Sequence, residues 1–217
     1  METCQPGLKE VFDSEISRRL GILFIKTDAV DLGITEEIIA YAAERVEKQG
    51  VGKLNGVYLL ETLPCELIPM LYPKLSPDGY EIVADYLCEG NCVMATFKGN
   101  GSTDMRQLMN QIKGRRMRDW TLEELNGKMG LNDSVRGMLP VPGTTDKYAD
   151  AMVKLKAQKT NPALRFTDEE FRVYCRNLIH SPDDLQETIG LLNLLSKVQL
   201  RENLSPKLLS MYKEINK

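Results

Sequence analysis

Gly21-Ile22-Leu23-Phe24-Ile25 carries no polar side chain, the pattern of a strand buried on both faces, and Lys26 ends it. Ahead of this run, the stretch Leu8 to Leu20 predicts a short helix. Behind it, Ile38, Ile39, Ala42, Ala43 and Val46 recur at helical spacing after Thr35-Glu36-Glu37, a helix start, and Gly50 stops them. Leu54 to Leu60 alternates as a second strand. Pro64 opens a short helix through about Leu71, and Asp78-Gly79 opens another through Cys88. Cys92 to Phe97 predicts a third strand, followed by a turn at Gly99-Asn100-Gly101 and a helix from Thr103 to Ile112. Cys175 to Ile179 predicts a fourth strand, Asp183 to Lys197 a helix, and Ser205-Pro206 the start of a last helix to Ile215.

This order of strands and helices fits a ferredoxin-like α/β sandwich of the α+β class, with one four-stranded antiparallel sheet covered by helices. Between Lys113 and Phe171 the periodicity loosens, with prolines at 140, 142 and 162 and a helical pattern from Asp146 to Gln158. The expected organisation is an N-terminal extension over 1–20, a main domain over 21–200 with a largely helical insertion at about 113–173, and a C-terminal helix within 201–217.

The chain has 217 residues and a net charge of -3, so bulk electrostatic attraction to nucleic acid is not expected, and any polyanion must be gripped locally. Its five cysteines are scattered without a CxxC pair, which reads as reduced thiols. Cys88 and Cys92 lack further ligands of metal-site spacing, so packing is the better account of them. Met1 to Phe12 has charged residues where a signal peptide needs an apolar core, and no apolar run is long enough to span a bilayer. A cytoplasmic protein without membrane or nucleic-acid partners is expected.

Candidate chemistry gathers at His180, the chain's one histidine. It follows the apolar run Cys175 to Ile179 and precedes Ser181-Pro182-Asp183-Asp184, which reads as a helix start. An imidazole at a strand end beside a helix N-terminus is placed where phosphate binds. A solitary histidine is more commonly a packing residue. The turn Lys98 to Thr103 lacks the GxxxxGK[ST] order of a phosphate loop and is a strand-to-helix turn. The basic cluster Lys113 to Arg118 reads as a solvated face. Lys26, Arg106, Arg136 and Asn177 stand out as polar groups near predicted strand ends or on helices.

Together these residues resemble a family. Ile25-Lys26-Thr27-Asp28-Ala29-Val30 is similar to the I-K-P-D-G-V motif of nucleoside diphosphate kinases, and Arg176-Asn177-Leu178-Ile179-His180 to their R-N-I-I-H motif around the phosphorylated histidine. Tyr72-Pro73-Lys74-Leu75 resembles the Y-x-x-L segment, Cys92 to Gly99 the V-V-A-M-V-W-E-G strand, and Val135-Arg136-Gly137-Met138 the I-R-G-D segment, all in the family's order. The resemblance implies a phosphotransferase that moves the γ-phosphate of a nucleoside triphosphate to a nucleoside diphosphate through a phosphohistidine at His180. It implies Lys26, Arg106 and Arg136 as catalytic partners and Tyr72, Tyr80 and Asn177 as substrate-binding residues. It further implies Mg²⁺ held mainly by the nucleotide's phosphates, with no metal-ligand set of the protein's own. A homodimer is expected in place of the family's higher-order packing, because the longer, proline-punctuated stretch from Lys113 to Val173 falls where family members meet and two-fold homo-oligomers are the commonest assembly.

The chain departs from the family's pattern in several places. Thr27 and Ala29 replace a proline and a glycine, Pro182 stands where a serine is usual, and the histidine-orienting glutamate is matched only if Glu187 is shifted in register. Pro182 and the unmatched glutamate favour the alternative of a catalytically weak nucleotide-binding regulatory or scaffold domain of the same fold, and the retained lysine, arginines, asparagine and histidine oppose it.

Overall fold

The computed structural model describes residues 8–61, 63, 65–73, 77–88, 90–114, 134–138 and 177–196, with isolated positions at 154, 157, 161 and 167. Most of the expected insertion, its helix from Asp146 to Gln158 apart from Lys154 and Ala157, and the helix after Ser205 lie outside the described residues.

The elements run α1 (Leu8–Arg19), β1 (Leu20–Ile25), α2 (Thr27–Asp31), α3 (Thr35–Lys48), β2 (Gly52–Leu60), a 3₁₀ turn (Cys65–Leu67), α4 (Ile68–Leu71), α5 (Pro77–Cys88), β3 (Cys92–Gly99), α6 (Met105–Lys113), α7 (Val135–Met138), β4 (Ile179–His180) and α8 (Leu185–Ser196). The four strands form one antiparallel sheet in the order β2-β3-β1-β4, the ferredoxin-like arrangement expected from the sequence.

Strand alternation divides the core in two. Ile22, Phe24, Cys92 and Met94 point to one face, beneath α4, α5 and α8, where they meet Ile68, Leu71, Leu87, Leu191 and Leu195. Leu23, Ile25, Ala95 and Phe97 point to the other and meet Ile38, Ala42 and Val46 of α3 and Met105, Leu108 and Met109 of α6. Burying both faces explains why β1 has no polar position, and each such Leu, Ile or Phe contributes about 1.5–3 kcal/mol. The β2 strand is one edge of the sheet, and Val57 and Leu59 stay about half exposed on it. Among the described residues, no helix is long and apolar enough to cross a membrane.

Two expectations change here. Of the expected run Cys175 to Ile179, Cys175 and Arg176 lie outside the described residues, and among those described the fourth strand starts at Ile179: Leu178 adopts φ +67, a left-handed conformation that breaks extended pairing, and the described ladder with β1 pairs Phe24 with His180 and Ile25 with Ile179. Cys65 and Cys88, read as thiols, form a disulfide between the 3₁₀ turn and the end of α5, with Cα atoms 6.2 Å apart. A separation of 23 residues in sequence cannot reveal this neighbourhood, which the antiparallel return of α5 creates. Cys92 is a buried free thiol.

Candidate functional site

The pairing of His180 with Phe24 turns the imidazole to the α4–α5–α8 side, at the end of the sheet where β1 passes into α2. Lys26 occupies that junction. Its backbone N–H donates to the Leu178 carbonyl at 2.8 Å, tying the two motif segments together, and its Nζ donates to Asn177 Oδ1 at 2.8 Å. Arg136, at the start of α7, reaches the same amide: its Nη2 donates to Asn177 Oδ1 at 3.2 Å and to the Ile179 carbonyl at 2.8 Å, and its Nε to the Asn177 carbonyl at 3.3 Å. One amide oxygen therefore holds two cations side by side. Both are buried, Lys26 at 4% and Arg136 at 8% exposure, so their charges act through little intervening water.

Tyr72, at the end of α4, closes the other side. Its ring centroid lies 5.0 Å from that of His180 and 5.7 Å from Lys26 Nζ. Glu187, in the first turn of α8, brings Oε2 to 3.4 Å from His180 Nε2. That separation exceeds a good N–H···O bond, and among the described residues no group stands in hydrogen-bond geometry to Nε2, so the contact is electrostatic. The same Oε2 accepts from the Asp183 backbone N–H at 2.9 Å, and Asp184 Oδ1 caps α8 by accepting from Glu187 N–H at 3.0 Å. Register alone leaves Glu187 out of place. The capped first turn of α8 brings it to the imidazole.

Burial pushes the His180 pKa below its ordinary value; Glu187 opposes this, and Lys113 and Lys26 reinforce it. The ring is therefore neutral at physiological pH, the state in which a nitrogen lone pair can attack an electrophile. With Nε2 facing a carboxylate, Nδ1 is the nitrogen left for chemistry.

The cluster thus unites His180, Lys26, Arg136, Tyr72 and Asn177. Two of the expected residues are not brought to it. The hydrogen bonds of Arg106 go to both carboxylate oxygens of Asp13 on α1, so it fastens α1 to α6. Position 106 is near the start of α6, whereas the end of that helix approaches the loop after His180. Tyr80 packs half-buried on α5 against the same core cluster as Tyr72.

Two further residues belong to the cluster: Glu187, whose register in the sequence does not match the motif, and Lys113, whose basic run predicts a solvated face. Lys113 is 5% exposed, and its Nζ donates to the Ser181 carbonyl at 3.2 Å and to Asp183 Oδ1 at 3.0 Å. Its signal in the sequence was its position three residues after Asn110, on the side of α6 that carries Met109 and Ile112 into the core. The Pro182 carbonyl accepts from Asn110 Nδ2 at 3.0 Å, and the next residue supplies the N–H that meets Glu187.

No protein-family profile and no curated protein sequence matches the chain. Solved structures do. A nucleoside diphosphate kinase of Aquifex aeolicus is similar at 13% identity with a TM-score of 0.49, over 86% of this chain and 99% of the other. An NDP kinase from Pyrobaculum aerophilum is similar at 16% identity with a TM-score of 0.47, over 81% of this chain and 94% of the other.

Proposed function

We propose that the protein is a nucleoside diphosphate kinase-like phosphotransferase that works through a phosphohistidine at His180. One observation carries the reading: a buried imidazole faces a carboxylate at 3.4 Å and stands beside two buried cations held by a single amide oxygen. Such a site is poorly explained as packing, because each buried charge is costly to keep.

In the first half-reaction, the Nδ1 lone pair attacks the γ-phosphorus of a nucleoside triphosphate. The bond to the β–γ bridging oxygen breaks, and the nucleoside diphosphate leaves with that electron pair. The imidazole becomes a cation as the N–P bond forms, and Glu187 stabilises the positive charge from Nε2. Lys26 and Arg136 stabilise the negative charge on the phosphoryl oxygens and the leaving oxygen. A second nucleoside diphosphate then attacks the phosphorus, and neutral His180 returns.

The two cations of the site, Lys26 and Arg136, suit phosphate oxygens and are not metal ligands. A Mg²⁺ ion accordingly belongs to the substrate, carried on the nucleotide's phosphates. Tyr72 packs between the imidazole and the Lys26 ammonium, and Asn177 orients the two cations. The substrate-binding role implied for Tyr80 is supported only by its place on α5.

Incubation with γ-labelled ATP and Mg²⁺ should give an acid-labile, base-stable phosphoryl group on the wild-type chain and none on His180→Ala, and a chase with a nucleoside diphosphate should remove it. Label that resists the chase would favour the regulatory alternative. Equal labelling of His180→Ala overturns the reading.

A further inference from the structure

Helix α6 takes hold of the segment after His180 with two side chains. Asn110 Nδ2 donates to the Pro182 carbonyl at 3.0 Å, and Asn110 Oδ1 accepts from Ser181 Oγ at 3.2 Å. Lys113 Nζ donates to the Ser181 carbonyl at 3.2 Å and to Asp183 Oδ1 at 3.0 Å. Residues three apart on a helix share a side, so the end of α6 contacts each residue from Ser181 to Asp183. Asp183 N–H then donates at 2.9 Å to the oxygen of Glu187 that faces His180 Nε2 at 3.4 Å. A continuous path of contacts runs from the Lys113 ammonium through Asp183 and Glu187 to the imidazole.

We infer that Asn110 and Lys113 form a clamp that sets the aim of His180, acting as positioning residues through Ser181 to Asp183 and Glu187. Its kinetic consequence, and only that, rests on the phosphotransferase reading. The burial of Lys113 supports the clamp, because an ammonium whose side chain is 6% exposed is costly unless its protons find acceptors, and both of its acceptors belong to this segment. Burial and the nearby Arg136 push the Lys113 pKa down, and Asp183 and Glu187 oppose that. The end of α6 is also shaped for the purpose. Gly114 turns the chain at φ +91 directly after Lys113, and a Cβ there would lie 2.4 Å from Ser134 Oγ.

Every element around His180 contributes a charged or aromatic group, and Glu187, Lys113 and Lys26 among them bear on its protonation. Glu187 comes from α8, Lys113 from α6, Lys26 from the β1–α2 junction, Arg136 from α7 and the Tyr72 ring from α4, with Asp183 on the following loop. Removing Lys113 takes away a positive charge and releases the carboxylate path, and both changes favour protonation of the imidazole.

Because His180 is the sole histidine, NMR of the full labelled chain gives one imidazole titration. Lys113→Met should raise its midpoint by about one pH unit, Lys113→Arg should leave it near the wild-type value, and Asp183→Asn should lower it. Phosphohistidine formation should slow about tenfold in Lys113→Met with nucleotide Kd changed less than about twofold. An unmoved midpoint in folded Lys113→Met overturns the clamp. Should that variant not fold, Asp183→Asn decides in the same way, since its carboxylate is partly exposed and an unchanged midpoint there breaks the path. If the wild-type chain accepts no phosphoryl group from ATP, the phosphotransferase reading fails while the titration still decides the clamp.

Discussion

The Leu178 backbone N–H donates at 2.9 Å to Asp28 Oδ2, joining residues 150 positions apart in the chain. The other oxygen of the same carboxylate accepts from the Tyr86 hydroxyl. Leu178 is the residue held at φ +67, two positions before His180, so a buried carboxylate on α2 secures the irregular turn that delivers the imidazole. Burial and the adjacent Asp28 push the Tyr86 pKa far above its ordinary value, so the hydroxyl remains a donor at all working pH values. Asp28→Ala leaves both donors unsatisfied and should destabilise the fold by about 3 kcal/mol, against about 1 kcal/mol for Tyr86→Phe. Urea unfolding followed by circular dichroism measures both, and equal losses would show that the Leu178 bond contributes nothing.

Glu187→Gln keeps the shape of the first turn of α8 and removes the charge beside Nε2. The His180 pKa should fall further, because the group that favours the imidazolium is gone. Transfer should slow by about ten- to a hundredfold, since a charge-assisted contact is worth about 1.5–3 kcal/mol. Rapid-quench measurement of phosphohistidine formation tests this, and an unchanged rate would mean that Glu187 only caps its helix.

Arg136 and Arg106 should behave differently although both were expected at the site. Arg136→Ala removes a buried donor that holds Asn177 and Ile179, and transfer should drop about a hundredfold. Arg106→Ala breaks its ion pair with Asp13, which should cost stability of about 1 kcal/mol and change transfer less than about threefold. Reversed effects on transfer would return Arg106 to the phosphates.

The pH dependence follows from the depressed His180 pKa. Below the unfolded value the unfolded chain takes up a proton that the folded chain resists, so stability falls as pH drops from about 6.5 towards the folded pKa and is unaffected above it. Phosphohistidine formation should therefore persist into mildly acidic solution, with its acidic limb below about 6.5. Thermal unfolding at several pH values and the imidazole titration report the two effects, and a limb above 6.5 contradicts the burial argument.

The expected homodimer has a surface to use. Val57 at 50% and Leu59 at 54% exposure alternate with inward-facing neighbours on the open edge of the sheet. Light scattering at micromolar concentration should give twice the chain mass, and Val57→Lys with Leu59→Lys should halve it. A wild-type monomer removes the expectation.

The strands and helices of the main domain were legible because their causes are local. The unbroken apolar run of β1 and the spacing of Ile38, Ala42 and Val46 state which faces are buried, and the observed sheet order follows from the sequence of elements. His180, Lys26, Arg136, Tyr72 and Asn177 were legible because short motifs carry them together. What only the tertiary structure decided depends on contacts between distant segments. Asp28 takes the Leu178 N–H where the chain enters β4, and Asp184 caps the turn of α8 that carries Glu187 to the imidazole. Lys113 and Arg106 exchange their expected environments because they stand at opposite ends of α6, one over the loop after His180 and the other beside α1. A basic residue in sequence is a charge without an address, and burial among particular acceptors gives it one.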